Sequence, residues 1–408
     1  FDDPQCGRVC NSIVYRLAIT PRRNNALCPQ QRQMLRQCRL GQADAALQLA
    51  NGQFSLCQLA KDHQPLLIAK QLQQAGRARG AILKQVKVES VEVEHDADIS
   101  VDSNLAIANI IRDSEAHMTS IKTTPDVQGF FDATTSTVSY VVSDPASGEA
   151  AIIDPVLDFE PRTARTSTAS ADALLDFVTE RGLALKYVLE THAHADHLSA
   201  GHHLLEITGA PIVIGSHITE VQTIFAPMFE ADDVVPDGSA FGRLVAEGDI
   251  LPLGDLHIRV MHTPGHTPAC VTYVIGDAAF VGDTLFMPDY GTARTDFPGG
   301  DATNLYRSIR RILDLSAETR IFVGHDYPPE GRAAPAWEAS VTAQRGGNIH
   351  IHDGVEESDF VAMRQARDKK LTAPLLILPS LQVNIRAGAL PPATKDGHVY
   401  LRLPVNMI

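Results

Sequence analysis

Thr191-His192-Ala193-His194-Ala195-Asp196-His197 places three imidazoles and a carboxylate within six residues, directly after the apolar run Tyr187-Val188-Leu189. Such a cluster is hard to explain as packing, because unpaired imidazoles and carboxylates are costly to bury. A metal ion would satisfy them together and would make the site an activator of water or oxygen. Three further segments end a strand-like run in a turn with a potential ligand. His262-Thr263-Pro264-Gly265-His266 follows Ile258-Arg259-Val260-Met261, Gly282-Asp283-Thr284 follows Ala278-Ala279-Phe280-Val281, and Gly324-His325-Asp326-Tyr327 follows Ile321-Phe322-Val323. Ligands at strand ends are held by a rigid sheet while the loops stay open to substrate. The neighbouring glycines permit tight turns or close backbone approach.

The elements that must position these residues are regular from Met118 onward. Thr137 to Ser143 and Ala150 to Val156 read as paired strands joined by the turn Asp144-Pro145-Ala146-Ser147-Gly148. Ala169 to Arg181 reads as a helix ended by Gly182, Leu185 to Glu190 as a strand, Leu198 to Thr208 as a helix ended by Gly209, and Pro211 to Ile214 as a strand. Leu256 to Met261, Cys270 to Ile275 and Ala278 to Val281 are further β-rich runs, followed by a helix over Ala302 to Leu313 and a strand over Arg320 to Val323. Strands with interspersed helices imply an α/β fold of sheets covered by helices. Trp337 to Ala343 and Glu356 to Leu371 read as helical, and two apolar runs, Leu375-Leu376-Ile377-Leu378 and Leu381-Gln382-Val383-Asn384, follow. The C-terminal stretch, residues 346–408, is expected to pack on the main domain as a cap over the pocket or as a homodimer contact.

Taken as a set and in this order, the four ligand-bearing segments resemble the metallo-β-lactamase superfamily, an αββα sandwich with its metal site along one edge; the resemblance spans residues 118–345. It implies that His192, His194 and His266 hold a first metal, that Asp196, His197 and His325 hold a second, and that Asp283 bridges them. The element Arg294-Thr295-Asp296-Phe297 and the later His325-Asp326-Tyr327 are similar to the persulfide dioxygenase branch, which is related to glyoxalase II, although Thr292-Ala293 stands where a Cys-Gly pair is common. That branch oxidises glutathione persulfide, or a similar low-molecular-weight persulfide, to sulfite with one Fe(II) and dioxygen. It would place iron on His192, His266 and Asp283, a two-His-one-carboxylate arrangement with open positions. His194, Asp196, His197 and His325 would then orient ligands or carry protons. The candidate catalytic residues are Asp196, Arg294, whose fork suits a substrate carboxylate, and Tyr327 as a hydrogen-bond donor to substrate. For Arg294 the competing reading is an ion pair with Asp296.

The alternative is a dinuclear hydrolase of a glutathione thioester, in which one or two Zn2+ or iron ions use all seven ligand positions and lower the pKa of a bound water. A domain that only senses sulfur or metal would bind the ion without turnover. A lactamase or nuclease is disfavoured by the Arg-Thr-Asp-Phe element and by the lack of a basic groove. Among the remaining histidines, His202 and His203 are expected on a helix surface, His350 and His352 on one strand face, and His262 beside the site without binding metal.

The chain has 408 residues, 44% hydrophobic and 21% charged, with a net charge of -14. That balance is ordinary for a globular protein, and the acidity argues against nucleic acid as a partner. No apolar run is long enough to span a membrane. The expected partner is a small-molecule thiol or persulfide. Cys6, Cys10, Cys28, Cys38 and Cys57 lie early and Cys270 alone lies later, a distribution that suits a reducing cytoplasm better than a secreted disulfide framework. Cys270, within a strand-like run, is expected to be a buried small hydrophobe. Residues 1–117 are rich in glutamine and poorly patterned, and they are expected to be a weakly ordered or non-native extension. The competing reading is an accessory sulfurtransferase-like domain with Cys28 as its thiol.

Overall fold

The computed structural model describes residues 124–407. The expectations for residues 1–117, including Cys28 and the other early cysteines, lie outside the described residues. The described residues form one compact unit.

Two six-stranded sheets stack face to face. The first runs in the order β1 (Asp126–Asp132), β2 (Thr137–Ser143), β3 (Glu149–Ile153), β6 (Ala184–Leu189), β8 (Ile212–Gly215) and β9 (Arg243–Val245). The second is β10 (Ile250–Leu253), β11 (Leu256–His262), β12 (Val271–Ile275), β13 (Ala278–Phe280), β14 (Arg320–Phe322) and β15 (Glu338–Ser340). A small third sheet joins β4 (Val156–Glu160) to β5 (Arg165–Ser167) and β7 (Leu198–Ser199).

Alternation along the strands explains the layering. On β2, Val138, Tyr140 and Val142 face the second sheet, where they meet Val271, Tyr273 and Ile275 of β12, whereas Val141 joins the helix layer. Both sides of these strands are covered, so every residue of β2 and β12 is buried, the hydroxyl-bearing ones included. Outside the first sheet lie α1 (Ala169–Glu180), α2 (Gly201–Thr208), α3 (Ile218–Met228) and α7 (Ile377–Asn384). Outside the second lie α4 (Ala302–Leu313), α5 (Val341–Gly347) and α6 (Glu357–Asp368). This is the αββα sandwich. No helix among the described residues is long and apolar enough to cross a membrane.

Three sequence readings change. The run Ala150 to Val156 is two strands, because Asp154 adopts a left-handed conformation (φ 49°) that ends β3 and redirects the chain into β4. The segment Leu198 to Thr208 starts as a two-residue strand paired to β4, and the helix begins only at Gly201. Trp337 to Ala343 contains β15, which completes the second sheet by pairing with β14 before α5 begins. In each case a tertiary pairing that local pattern does not encode decides the outcome.

Candidate metal centre

β3 and β6 pair in parallel, as do β13 and β14, so their carboxyl ends emerge at common edges. β3 ends before Asp154, β6 before Glu190-Thr191-His192, β11 before His266, β13 before Asp283 and β14 before His325. Two glycines let the segments close on one another. Gly282 has φ 52°, and a Cβ there would lie 2.4 Å from Thr191 Oγ1; a Cβ at Gly324 would lie 2.9 Å from Asp283 Oδ1.

All seven expected ligands come together, in two sets. His192, His266 and Asp283 form one; His194, Asp196, His197 and His325 form the other, with the donor atoms within 4.8 Å of one another in each. Asp283 faces both: its Oδ2 lies 3.8 Å from His192 Nε2 and 3.6 Å from His266 Nε2, and its Oδ1 lies 3.3 Å from His325 Nε2. Buried atoms without a hydrogen-bond partner include His192 Nε2, His197 Nε2, His325 Nε2, Asp196 Oδ2 and Asp283 Oδ1. Each would carry a desolvation penalty of roughly 1–3 kcal/mol if left unpaired, and a cation among them removes that penalty. Imidazoles and carboxylates are the donors that zinc, iron and manganese accept, so the residues fit a metal.

The ligand tautomers follow from their neighbours. Arg294 O can only accept, so His266 donates from Nδ1 at 2.9 Å and keeps the Nε2 lone pair for a metal. The Thr191 hydroxyl donates to Asp154 Oδ2 at 2.7 Å, which leaves Thr191 Oγ1 to accept from His192 Nδ1 at 3.0 Å. His192 Nε2 is thereby freed as well. Burial, reinforced by His194 and His266, holds the His192 imidazole well below its usual pKa and so neutral.

His194 stands apart from the set to which its position in the resemblance assigned it. Its Nε2 lies 3.1 Å from Asp154 Oδ1 and 3.3 Å from Glu190 Oε2, and a third potential donor group is Asp154, Glu190 and His194 itself. Burial opposes charge on His194, but the two carboxylates outweigh it and raise its pKa well above the ordinary value. Asp196 is likewise pushed up by burial and pulled well below its usual range by His325, 3.0 Å away, and by His197. Thr137 Oγ1 lies 3.3 Å from His197 Nδ1 and 3.4 Å from His325 Nδ1.

Arg294 does not present its fork to the site. Its Nε and Nη2 donate to both oxygens of Asp296 at 2.6 and 2.7 Å, its Nη1 donates to Thr372 O at 2.7 Å, and the guanidinium lies over the Phe297 ring. The expectation of a substrate carboxylate on Arg294 is therefore corrected to the ion pair; what reaches the site is its backbone carbonyl, on His266. Arg294→Ala is accordingly expected to lower stability and metal retention while leaving KM within about twofold, since KM changes alone when uniform binding is lost. A KM rise without metal loss, measured by steady-state kinetics beside metal analysis, would restore the substrate-binding role.

Tyr327 does border the site. Its ring stacks on His325 at 5.7 Å and lies beside Tyr290 and Phe286, while burial, then Asp196 and Asp283, push its ionisation up. Cys270 is buried and its thiol is pushed up to about 12, as an inert small hydrophobe requires. His262 stacks on His217 with ring centroids 4.3 Å apart and bonds Pro268 O. His350 sits in a turn rather than on a strand with His352; its Nδ1 accepts from Thr292 N, and burial lowers its pKa to about 4. Sequence reasoning missed Asp154, Glu190, Thr137 and Asn384. Asp154 and Glu190 each directly follow an apolar strand, which is the signal that could have marked them.

Residues 133–325 match the metallo-beta-lactamase superfamily. A probable metallo-hydrolase of Burkholderia pseudomallei (strain 1710b) is 53% identical over 293 residues, 69% of this chain and 99% of the relative. The chain belongs to the metallo-beta-lactamase superfamily. Within the superfamily, the human mitochondrial persulfide dioxygenase ETHE1 is 33% identical over 200 residues, 48% of this chain and 66% of that protein. The crystal structure of ETHE1 from Myxococcus xanthus has a TM-score of 0.52 and 30% identity, covering 65% of this chain and all of the other. The chain is thus a superfamily enzyme, with a His and Asp cluster at its strand ends typical of the superfamily.

Proposed function

We propose that this superfamily member is a persulfide dioxygenase that uses dioxygen, water and one Fe(II) to convert glutathione persulfide, or a similar small persulfide, to sulfite and the free thiol. The observation that carries this reading is the separate three-donor set of His192, His266 and Asp283, while His194 Nε2 lies beside Asp154 and Glu190, at 3.1 and 3.3 Å. Two imidazoles and one carboxylate on one side of an ion leave positions for oxygen and a sulfur ligand. The likeness to ETHE1 in sequence and structure supports it.

When bound, iron supplies the coupling of dioxygen to the substrate sulfur. The chain's own residues orient and shield. Arg294 O and Thr191 Oγ1 fix the rings of His266 and His192. Phe297 meets His266 edge to face at 5.3 Å and forms an apolar wall. The Tyr327 hydroxyl, kept protonated by burial, donates to the substrate, and Asp196 lies 3.0 Å from His325 as a carboxylate able to take up a proton beside the site.

A second reading, a dinuclear thioester hydrolase, is favoured by the intact second donor set and by the probable metallo-hydrolase relative. Metal analysis of the purified protein, with oxygen uptake on glutathione persulfide, separates the two. One iron per chain with oxygen uptake is expected. Two metals per chain, no uptake and rapid cleavage of a glutathione thioester would replace the dioxygenase with the hydrolase.

A further inference from the structure

We propose that Asn384, far along the chain from the metal-binding motif, is a positioning residue that sets the backbone of the motif loop and with it the metal affinity of the site. Asn384 ends α7, beyond the residues that match the superfamily, and its side chain is buried. Both N–H bonds of its amide are used on the loop: Nδ2 donates to His194 O at 2.8 Å and to His197 O at 2.8 Å. Its Oδ1 accepts from Ser199 N at 2.8 Å. One planar group therefore fixes three backbone positions: those of two ligands, His194 and His197, which bracket Asp196, and that of Ser199 just beyond them.

The surrounding segment is built for this approach. Gly388 has φ 88°, and a Cβ there would lie 2.7 Å from Ser199 O, so the chain beyond α7 lies directly on the end of the motif loop. Gln222 from α3 donates to Ile385 O at 3.0 Å, and Arg386 pairs with Asp233 through both carboxylate oxygens, anchoring the segment on either side of the contact. Other side chains of similar size do not reproduce the geometry. Aspartate would put one oxygen in place of the NH2 group, facing two carbonyls, and glutamine would reach one methylene too far.

Gln382 supplies the comparison. It is equally buried in the same helix and makes three amide hydrogen bonds, to Leu378 O, Arg402 O and Arg402 N, none of them to the motif loop. A merely structural role for Asn384 predicts that the two residues behave alike.

The test uses the full chain, stripped of metal and titrated with Co(II) against a competing chelator, with the visible absorption of bound Co(II) recorded and apo-protein unfolding followed in parallel. Asn384→Ala and Gln382→Ala are expected to lower the apo unfolding midpoint similarly. Only Asn384→Ala is expected to weaken Co(II) binding, by about 10- to 100-fold, the range for groups that orient ligands, and to change the absorption bands. Asn384→Asp, which keeps the volume and the Ser199 contact, is expected to weaken binding likewise and serves if the alanine variant does not fold. Wild-type affinity and spectrum in the Asn384 variants, or an equal loss in Gln382→Ala, overturns the proposal.

Discussion

Asp283→Ala is expected to strip metal from the protein and to reduce turnover on the order of a thousandfold, about 4 kcal/mol at 1.36 kcal/mol per tenfold. The size of the effect follows from its place between the two donor sets. One carboxylate oxygen faces His192 and His266, and the other faces His325. Deleting it removes the only anion of the first set and the carboxylate that also faces His325 of the second. A mononuclear or dinuclear centre would lose the same ligand, so the prediction does not depend on which reaction is catalysed. Asp283→Asn keeps the volume beside Gly324 but removes the charge, and it should retain part of the metal. Metal content per chain, measured together with oxygen uptake and thioester cleavage, checks this. Full metal occupancy and near-normal turnover in Asp283→Ala would remove Asp283 from the centre altogether.

Asp154→Ala is expected to have the largest effect on stability, a loss of about 3–5 kcal/mol, typical of removing one partner from a buried ion pair. Asp154 is 2% exposed and accepts from Thr191 N and Thr191 Oγ1, both at 2.7 Å, while His194 Nε2 lies 3.1 Å away. Without it, a buried amide and a buried hydroxyl lose their acceptor, and His194 is left with Glu190 alone. The Thr191 hydroxyl would be free to turn, so His192 would also lose the contact that fixes its tautomer.

The pH dependence has a definite sign. Burial raises the Asp154 carboxyl, but His194 and Thr191 outweigh it and hold the folded-state pKa below the ordinary value. The contribution is therefore fully present above the unfolded pKa of about 3.9 and is lost as pH falls through the lower, folded value. Denaturant unfolding of wild type and variant should show a gap at neutral pH that narrows in acid. A gap under about 1 kcal/mol at pH 7, the net value of a single ordinary hydrogen bond, would show that the pair contributes little.

The sequence was most legible where chemistry is dense or pattern is periodic. His192, His194, Asp196 and His197 lie within six residues, and His266, Asp283 and His325 each follow an apolar run, so the metal centre could be proposed without coordinates. The helices over Ala169–Glu180 and Ala302–Leu313 were equally clear, because each presents one apolar stripe to a sheet. The failures share a cause. β15 exists because β14 offers it an open edge, and β4 is separate from β3 because Asp154 turns the chain toward Thr191. Arg294 carried the right chemistry for a substrate carboxylate, and only its distance to Asp296 and Thr372 revealed that the fork was already occupied.

By itself, then, the sequence located the His and Asp cluster and the alternation of strands and helices, since residue type and strand-end position are local properties of the chain, and the αββα sandwich followed from the family resemblance. How the donors divide was decided by tertiary structure. His194 is drawn to Asp154 and Glu190, His266 is aimed by a carbonyl 28 residues away, and the motif loop is fixed by an amide more than 180 residues downstream. Hydrogen bonds act over about 3 Å in space, whatever the separation along the chain, and only the folded packing brings those partners within range.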